Sequence, residues 1–235
     1  WDDAGQIFNI WSKWVTHETR SCGDTDFTHS PVNQSAGVRA RGRHSPNAMT
    51  GDKMHRYAII GFGSLLWDLD TLRPQVVGPW EYYTGPTLPL EFSLVSQKRK
   101  RALALVIDLE RGTSCPTCII KSRRNAVAEA VIDLAMRERA PIKAIGFYDH
   151  DSGDGRSHSR SILKRLRDWL ESSPWGGGVW TDGASNFRAA TGIEFCVADA
   201  LEYLRSLSDA TLVEAKHYIE NAPDRVDTPL RRALA

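Results

Sequence analysis

The apolar positions of this chain change period along its length. They run almost unbroken from Tyr57 to Phe62, Leu88 to Val95 and Ala102 to Leu109, with shorter runs at Cys118 to Ile120 and Ile142 to Phe147. Such runs, bounded by turn-forming residues, predict buried strands. Between the last two, Asn125 to Ala140 carries Val127, Ala130, Val131 and Leu134 at i, i+3, i+4 and i+7, which predicts a helix ended by Pro141. A second helix is predicted over Ser161 to Leu170, with Ile162, Leu166, Trp169 and Leu170 inward and Lys164, Arg165 and Arg167 on a solvated basic face. Gly176 to Gly178 reads as a loop before a short strand, Val179 to Thr181. Two closing helices follow at about 197–207 and 209–221, the last with Thr211 and Glu214 at the spacing of a capping box. Without an internal repeat, this order predicts an α+β fold.

Residues 1–53 lack this patterning: three tryptophans, Trp1, Trp11 and Trp14, precede a polar stretch of Ser, Gly, Arg and His. The sequence opens without methionine, while Met49 and Met54 stand just before the first strand. The segment therefore reads as a disordered or non-native extension to one domain over 54–235, or else as a short helix at Ile7 to Val15 docked through its aromatics. Composition adds exclusions. With 30 basic against 29 acidic residues, no overall field favours nucleic acid. No run of 18 apolar residues and no secretory signal pattern is present, so no membrane partner and a cytoplasmic location are expected.

Of the cysteines, Cys115 and Cys118 form a CxxC, whereas Cys22 and Cys196 stand apart without paired histidines, so no metal is expected. Because Cys118 leads into Ile119 and Ile120 rather than a helix, packing is favoured over redox chemistry.

The stretch Gly61-Phe62-Gly63-Ser64-Leu65 ends the first strand and carries the most specific signal. It is not a dinucleotide fingerprint, since Leu66 takes the place of the third glycine; nor a P-loop, since no lysine follows; nor a nucleophile elbow, since Ser64 lacks the second flanking glycine. What remains is a sharp backbone turn whose amides at Gly63, Ser64 and Leu65 can converge on an anion such as a carboxylate.

A candidate for proton transfer lies on the helix at 125–140. At 100° per residue, Glu138 falls within about 60° of Val127, Val131 and Leu134, on the inward face. Its i−4 and i+4 neighbours are Leu134 and Ile142, while Asp133 and Arg137 are spaced to pair with each other. An acid in apolar surroundings at a helix C-terminus is expected to have a raised pKa, suited to acid–base work. The bland alternative turns Glu138 to solvent or pairs it with Arg137 or Arg139.

Together these features resemble the gamma-glutamylcyclotransferase family, including its ChaC-type glutathione-specific branch. The family's [YF]-G-S-[LN] loop after the first strand is matched by Phe62-Gly63-Ser64-Leu65, and Trp67 follows as in the ChaC-type pattern. Its catalytic glutamate, in ChaC-type members within an Arg-Glu pair on a later helix, is matched by Arg137-Glu138. The similarity covers about residues 56–148. It implies a small mixed β-barrel with surrounding helices and an enzyme that needs no cofactor. The implied reaction cyclises a γ-glutamyl amine or peptide to 5-oxoproline, with Glu138 catalytic and Gly61, Phe62, Gly63, Ser64 and Leu65 binding substrate. The chain departs from the family at Phe62, where tyrosine is usual. It departs again at Ser96-Gln97-Lys98-Arg99-Lys100-Arg101, where glycine- and proline-rich segments would contact glutathione; that run reads as a charged hairpin turn or as a lure for an acidic peptide. A rival function is a non-catalytic module that binds a small carboxylate on the same fold. The loop Asp149 to His158 reads as a mobile flap or a plain connection.

Overall fold

The computed structural model describes residues 57–235. The expected extension over 1–53, with its alternative helix at Ile7 to Val15, lies outside them. Among the described residues there are nine strands: β1 (Tyr57–Gly61), β2 (Val76–Glu81), β3 (Thr87–Val95), β4 (Leu103–Ile107), β5 (Thr113–Pro116), β6 (Cys118–Ser122), β7 (Ile145–Asp149), β8 (Gly155–Arg156) and β9 (Gly177–Thr181). The helices are α1 (Val127–Glu138), α2 (Arg160–Ser172), α3 (Phe187–Thr191), α4 (Val197–Arg205), α5 (Asp209–Glu220) and α6 (Pro229–Leu234). The fold is α+β, and no helix among the described residues is long and apolar enough to cross a membrane.

The strands form two sheets, ordered β2-β6-β1-β9-β7-β8 and β4-β3-β5. β1 runs parallel to β9 and antiparallel to β6. The ladders do not join into a closed ring; outside them, one isolated parallel bridge links Ile107, at the end of β4, to Ala184 beyond β9.

β1 is unbroken in sequence because both of its faces are covered. Ile59 packs with Ile120, Ile145 and Val179 beneath Ala130, Val131 and Leu134 of α1. Ala58 and Ile60 face the other way, into a larger core of Leu88, Leu90, Phe92 and Trp180 with side chains of α2, α4, α5 and α6. The helix pattern at 125–140 thus marks the inner face of α1, which ends at Arg139 in the left-handed conformation, two residues before Pro141.

Several local expectations change. The capping box fails because Ser208, not Thr211, is the N-cap of α5; Thr211 lies in its first turn and meets the Ser208 hydroxyl at 3.0 Å, while Glu214 pairs with Arg99. The expected Asp133–Arg137 pair is replaced by a two-point ion pair from Arg124, whose Nε and Nη2 donate to Asp133 at 2.6 and 2.9 Å. Asp149 to His158 is a tied hairpin, with β8 paired to β7 at the sheet edge and Ser152 donating to Asp149. The basic face of α2 is solvated and salt-bridged along the helix, Lys164 to Asp168 and Arg167 to Glu171.

Cys115 and Cys118 are buried, unbridged and assigned to different cores. Burial pushes both thiols above the usual range. Both should therefore react with Ellman's reagent in the native protein far more slowly than free cysteine, and at the ordinary rate in urea.

Glu91 of β3 is fully buried, and its carboxylate accepts the Phe92 amide at 2.8 Å. Burial raises its pKa, opposed first by a hydrogen bond from Thr228, the N-cap of α6. A raised acid holds its proton more tightly in the folded state, so its stabilising contribution is complete below the unfolded glutamate pKa and fades as pH rises through the folded one. Glu91→Gln should therefore gain stability relative to wild type as pH rises above the ordinary glutamate range, read from urea midpoints between pH 4 and pH 8.

Candidate functional site

The glycine stretch divides into two parts. Gly61 belongs to β1, where a Cβ would lie 2.5 Å from the Trp80 ring; its role is close packing of that indole. Phe62 is half-buried in extended backbone, and from Gly63 the chain winds into a 3-10 turn, Gly63–Leu66. Gly63 has φ +69°, the left-handed region that only glycine enters at little cost. Leu65 and Leu66 anchor the turn in the α1 core, leaving Ser64 buried and turned toward the helix end.

Arg137 joins this turn to α1. Only 2% of its side chain is exposed. Its Nε and Nη2 donate to the carbonyl oxygen of Asp68 at 3.1 and 2.5 Å, and Nη2 reaches the Ser64 hydroxyl at 3.4 Å. Its Nη1 donates to Glu138 Oε1 at 2.7 Å. The structure therefore brings Glu138 and the loop after β1 together, two hydrogen bonds apart through one guanidinium.

Glu138 keeps 17% of its side chain exposed and has a second cation nearby, Lys98 Nζ at 3.9 Å from Oε2. An acid without a partner gives way here to the alternative of pairing with Arg137. Helical spacing of four residues does not reveal its partners, because one is the adjacent Arg137 and the other arrives from the β3–β4 connection. Burial lowers the pKa of Lys98, and the Glu138 charge works against that. The run Ser96 to Arg101 is indeed a hairpin turn, with Gln97–Arg99 in a 3-10 turn and Lys100 and Arg101 left-handed. It also presses two cations on this end of the molecule, since Arg99 Nη1 meets Glu214 at 2.5 Å.

Tyr218 of α5 completes the site, and nothing in the sequence singled it out. Its hydroxyl is where a Cβ on Gly63 would fall, 2.6 Å away. The ring is edge-on to Trp67 and Phe92, and the Arg99 guanidinium lies 4.2 Å above it. Burial raises its pKa, the Arg99 charge lowers it, the Glu138 charge raises it, and backbone hydrogen bonds with Leu105 and Ser64 lower it. The Tyr218 hydroxyl therefore lies against the backbone of the turn at Gly63. The turn after β1 thus has a phenol oxygen packed against it. Gly63→Ala adds left-handed strain to that contact and should cost about 1–3 kcal/mol in urea unfolding. Paired with Tyr218→Phe, which removes the clashing oxygen, the two losses should sum to less than their separate values.

Among the described residues no group of three or more His, Cys, Asp or Glu is placed to hold a metal ion. The cluster's own groups can bind through amides and cations and can move a proton through Glu138 or Tyr218. No protein-family model, no curated protein and no solved structure matches this chain.

Proposed function

We propose that this chain is a gamma-glutamylcyclotransferase-like enzyme, its two sheets corresponding to the opened halves of a small mixed β-barrel. The observation that supports the reading is the link from Ser64 through Arg137 to Glu138, which joins the loop and the acid that the resemblance names. In this reading the substrate's α-carboxylate lies against the amides of Gly63, Ser64 and Leu65. Glu138 accepts a proton from the α-ammonium group, the freed amine attacks the γ-carbonyl carbon, and the γ-amide C–N bond breaks. The leaving amine takes that proton from Glu138, the ring nitrogen gives up its second proton to the carboxylate so freed and from there to solvent, and 5-oxoproline remains. Ring closure is unimolecular, so orientation and one proton-transfer group suffice.

The Arg137 guanidinium then has two tasks, fixing the glutamate rotamer and tying the loop to the helix end. Lys98 and Arg99 favour substrates with a further negative charge, including γ-glutamyl peptides, whose C-terminal carboxylate points outward.

A second reading is favoured by the Tyr218 hydroxyl packed against the turn at Gly63 and by the two cations on Glu138. In it the fold binds a small carboxylate without turning it over. Incubation with γ-glutamyl amines, dipeptides and glutathione, read by 5-oxoproline release, separates the two. Turnover of any member supports the enzyme, whereas binding without release across the panel supports the module.

A further inference from the structure

A second group of polar residues lies apart from Glu138 and the glycine turn. A cavity of about 680 Å³ is lined by the end of β4 and the following turn, the segment after β9 with α3, and His158. It shares no lining residue with the site above.

His158 is held by Asp182, which is 5% exposed. Asp182 accepts from Ser157 Oγ at 2.7 Å and Trp180 Nε1 at 3.0 Å, and also from the His158 amide. Its Oδ1 lies 3.0 Å from His158 Nδ1. A carboxylate at Nδ1 fixes the tautomer with the proton there, leaving Nε2 as an acceptor. Among the described residues, Nε2 has no hydrogen-bond partner.

The other polar groups of the lining divide by what they already do. Asp108 is committed to Ser93 Oγ at 2.7 Å and to the amides of Glu110 and Arg111. Asn186 is committed at both ends to the backbone of Val95, and Ser185 to the carbonyl of Ser93. Arg188 pairs with Glu194 at 2.5 Å. The side chains of Glu110 and Arg111 alone join His158 Nε2 in having no partner among the described residues. The open groups are therefore an imidazole nitrogen, an acid and a guanidinium. Apolar surface lies beside them: Ile107 and Phe195 at the back and Leu109, 50% exposed, at the rim.

We propose that this cavity binds a free α-amino acid with an apolar side chain. The ligand's ammonium donates to His158 Nε2 and Glu110, its carboxylate pairs with Arg111, and its side chain covers Leu109 and Phe195. A simple anion fits less well, because three acidic residues in the lining outnumber two arginines. A zwitterion meets both signs of charge at once.

The test is calorimetric titration of the full chain with L-phenylalanine and L-leucine. Matched titrations use N-acetyl-L-phenylalanine, which lacks the ammonium, and phenethylamine, which lacks the carboxylate. At least one amino acid should bind, and both truncated analogues should bind at least tenfold more weakly. His158→Ala and Arg111→Gln should each weaken the amino acid at least tenfold with the thermal midpoint unchanged, because Asp182 keeps its Trp180 and Ser157 bonds without the imidazole. Glu138→Gln should leave the affinity unaltered, which keeps this result separate from the fate of the γ-glutamyl reading. Absence of binding at millimolar concentration overturns the proposal. So does binding that tolerates either truncated analogue or either substitution.

Discussion

Glu138→Gln is expected to reduce 5-oxoproline release by about 10²- to 10⁴-fold, the usual contribution of a positioned acid–base group. Glutamine has nearly the same shape and still offers an oxygen to Arg137 Nη1, now 2.7 Å from the glutamate. The local structure and the affinity for a γ-glutamyl ligand should therefore survive while proton transfer stops. Glu138→Asp is the companion variant: it keeps the acid but draws it back by one methylene from both Arg137 and the turn. It should retain a small part of the activity, since reach is lost and chemistry is not.

Arg137→Met should destabilise the fold by about 3 kcal/mol, the low end of the cost of breaking a buried ion pair. The low end applies because Glu138 is partly exposed and can turn to solvent, aided by Lys98 at 3.9 Å. The rest of the cost comes from the Asp68 carbonyl, which loses two donors, and from Ser64, which loses its contact with the guanidinium. Urea unfolding followed by tryptophan fluorescence measures the loss. Arg137→Lys should recover only part of it, because one ammonium cannot reproduce a fork that reaches a carbonyl, a hydroxyl and a carboxylate together. Activity should fall in both variants, in contrast to Glu138→Gln, where activity falls and stability stays. That contrast separates the residue that moves the proton from the one that holds the site in shape.

The sequence made the buried scaffold legible. β1, β3, β4, β6 and α1 follow from apolar runs and 3.6-residue spacing, because each is enclosed on the faces that pattern records. β2 escaped notice since it is an edge strand with Gly78 and Pro79 inside it and a register shift between Val77 and Glu81. β5 was hidden because it is only four residues long and runs into the CxxC, where Ser114 and Pro116 weaken the strand signal. α6 did leave a sign, Thr228 as N-cap before Pro229, with the Thr228 hydroxyl accepting the Arg231 amide.

The site divides in the same way. Gly63 and Ser64 were legible because a left-handed turn after a buried strand needs glycine, and Glu138 because it lies on the inner side of α1. The contacts that define the site were not. Tyr218 is 155 residues from Gly63 along the chain, and its place against the turn depends on how α5 packs over β4. Arg137 was read as a flank residue because Asp133 stands four positions before it. Arg124, entering from the preceding loop, takes that aspartate instead and leaves Arg137 for the Asp68 carbonyl. Tertiary partners overrode local spacing in each case.

The most direct measurement is a crystal structure of Glu138→Gln with γ-L-glutamyl-L-alanine bound. The account predicts the ligand's α-carboxylate on the amides of the Gly63–Leu66 turn, the Tyr218 hydroxyl displaced from Ser64, and the α-nitrogen within hydrogen-bond reach of residue 138. A ligand bound elsewhere, or one whose α-nitrogen faces away from residue 138, would contradict it.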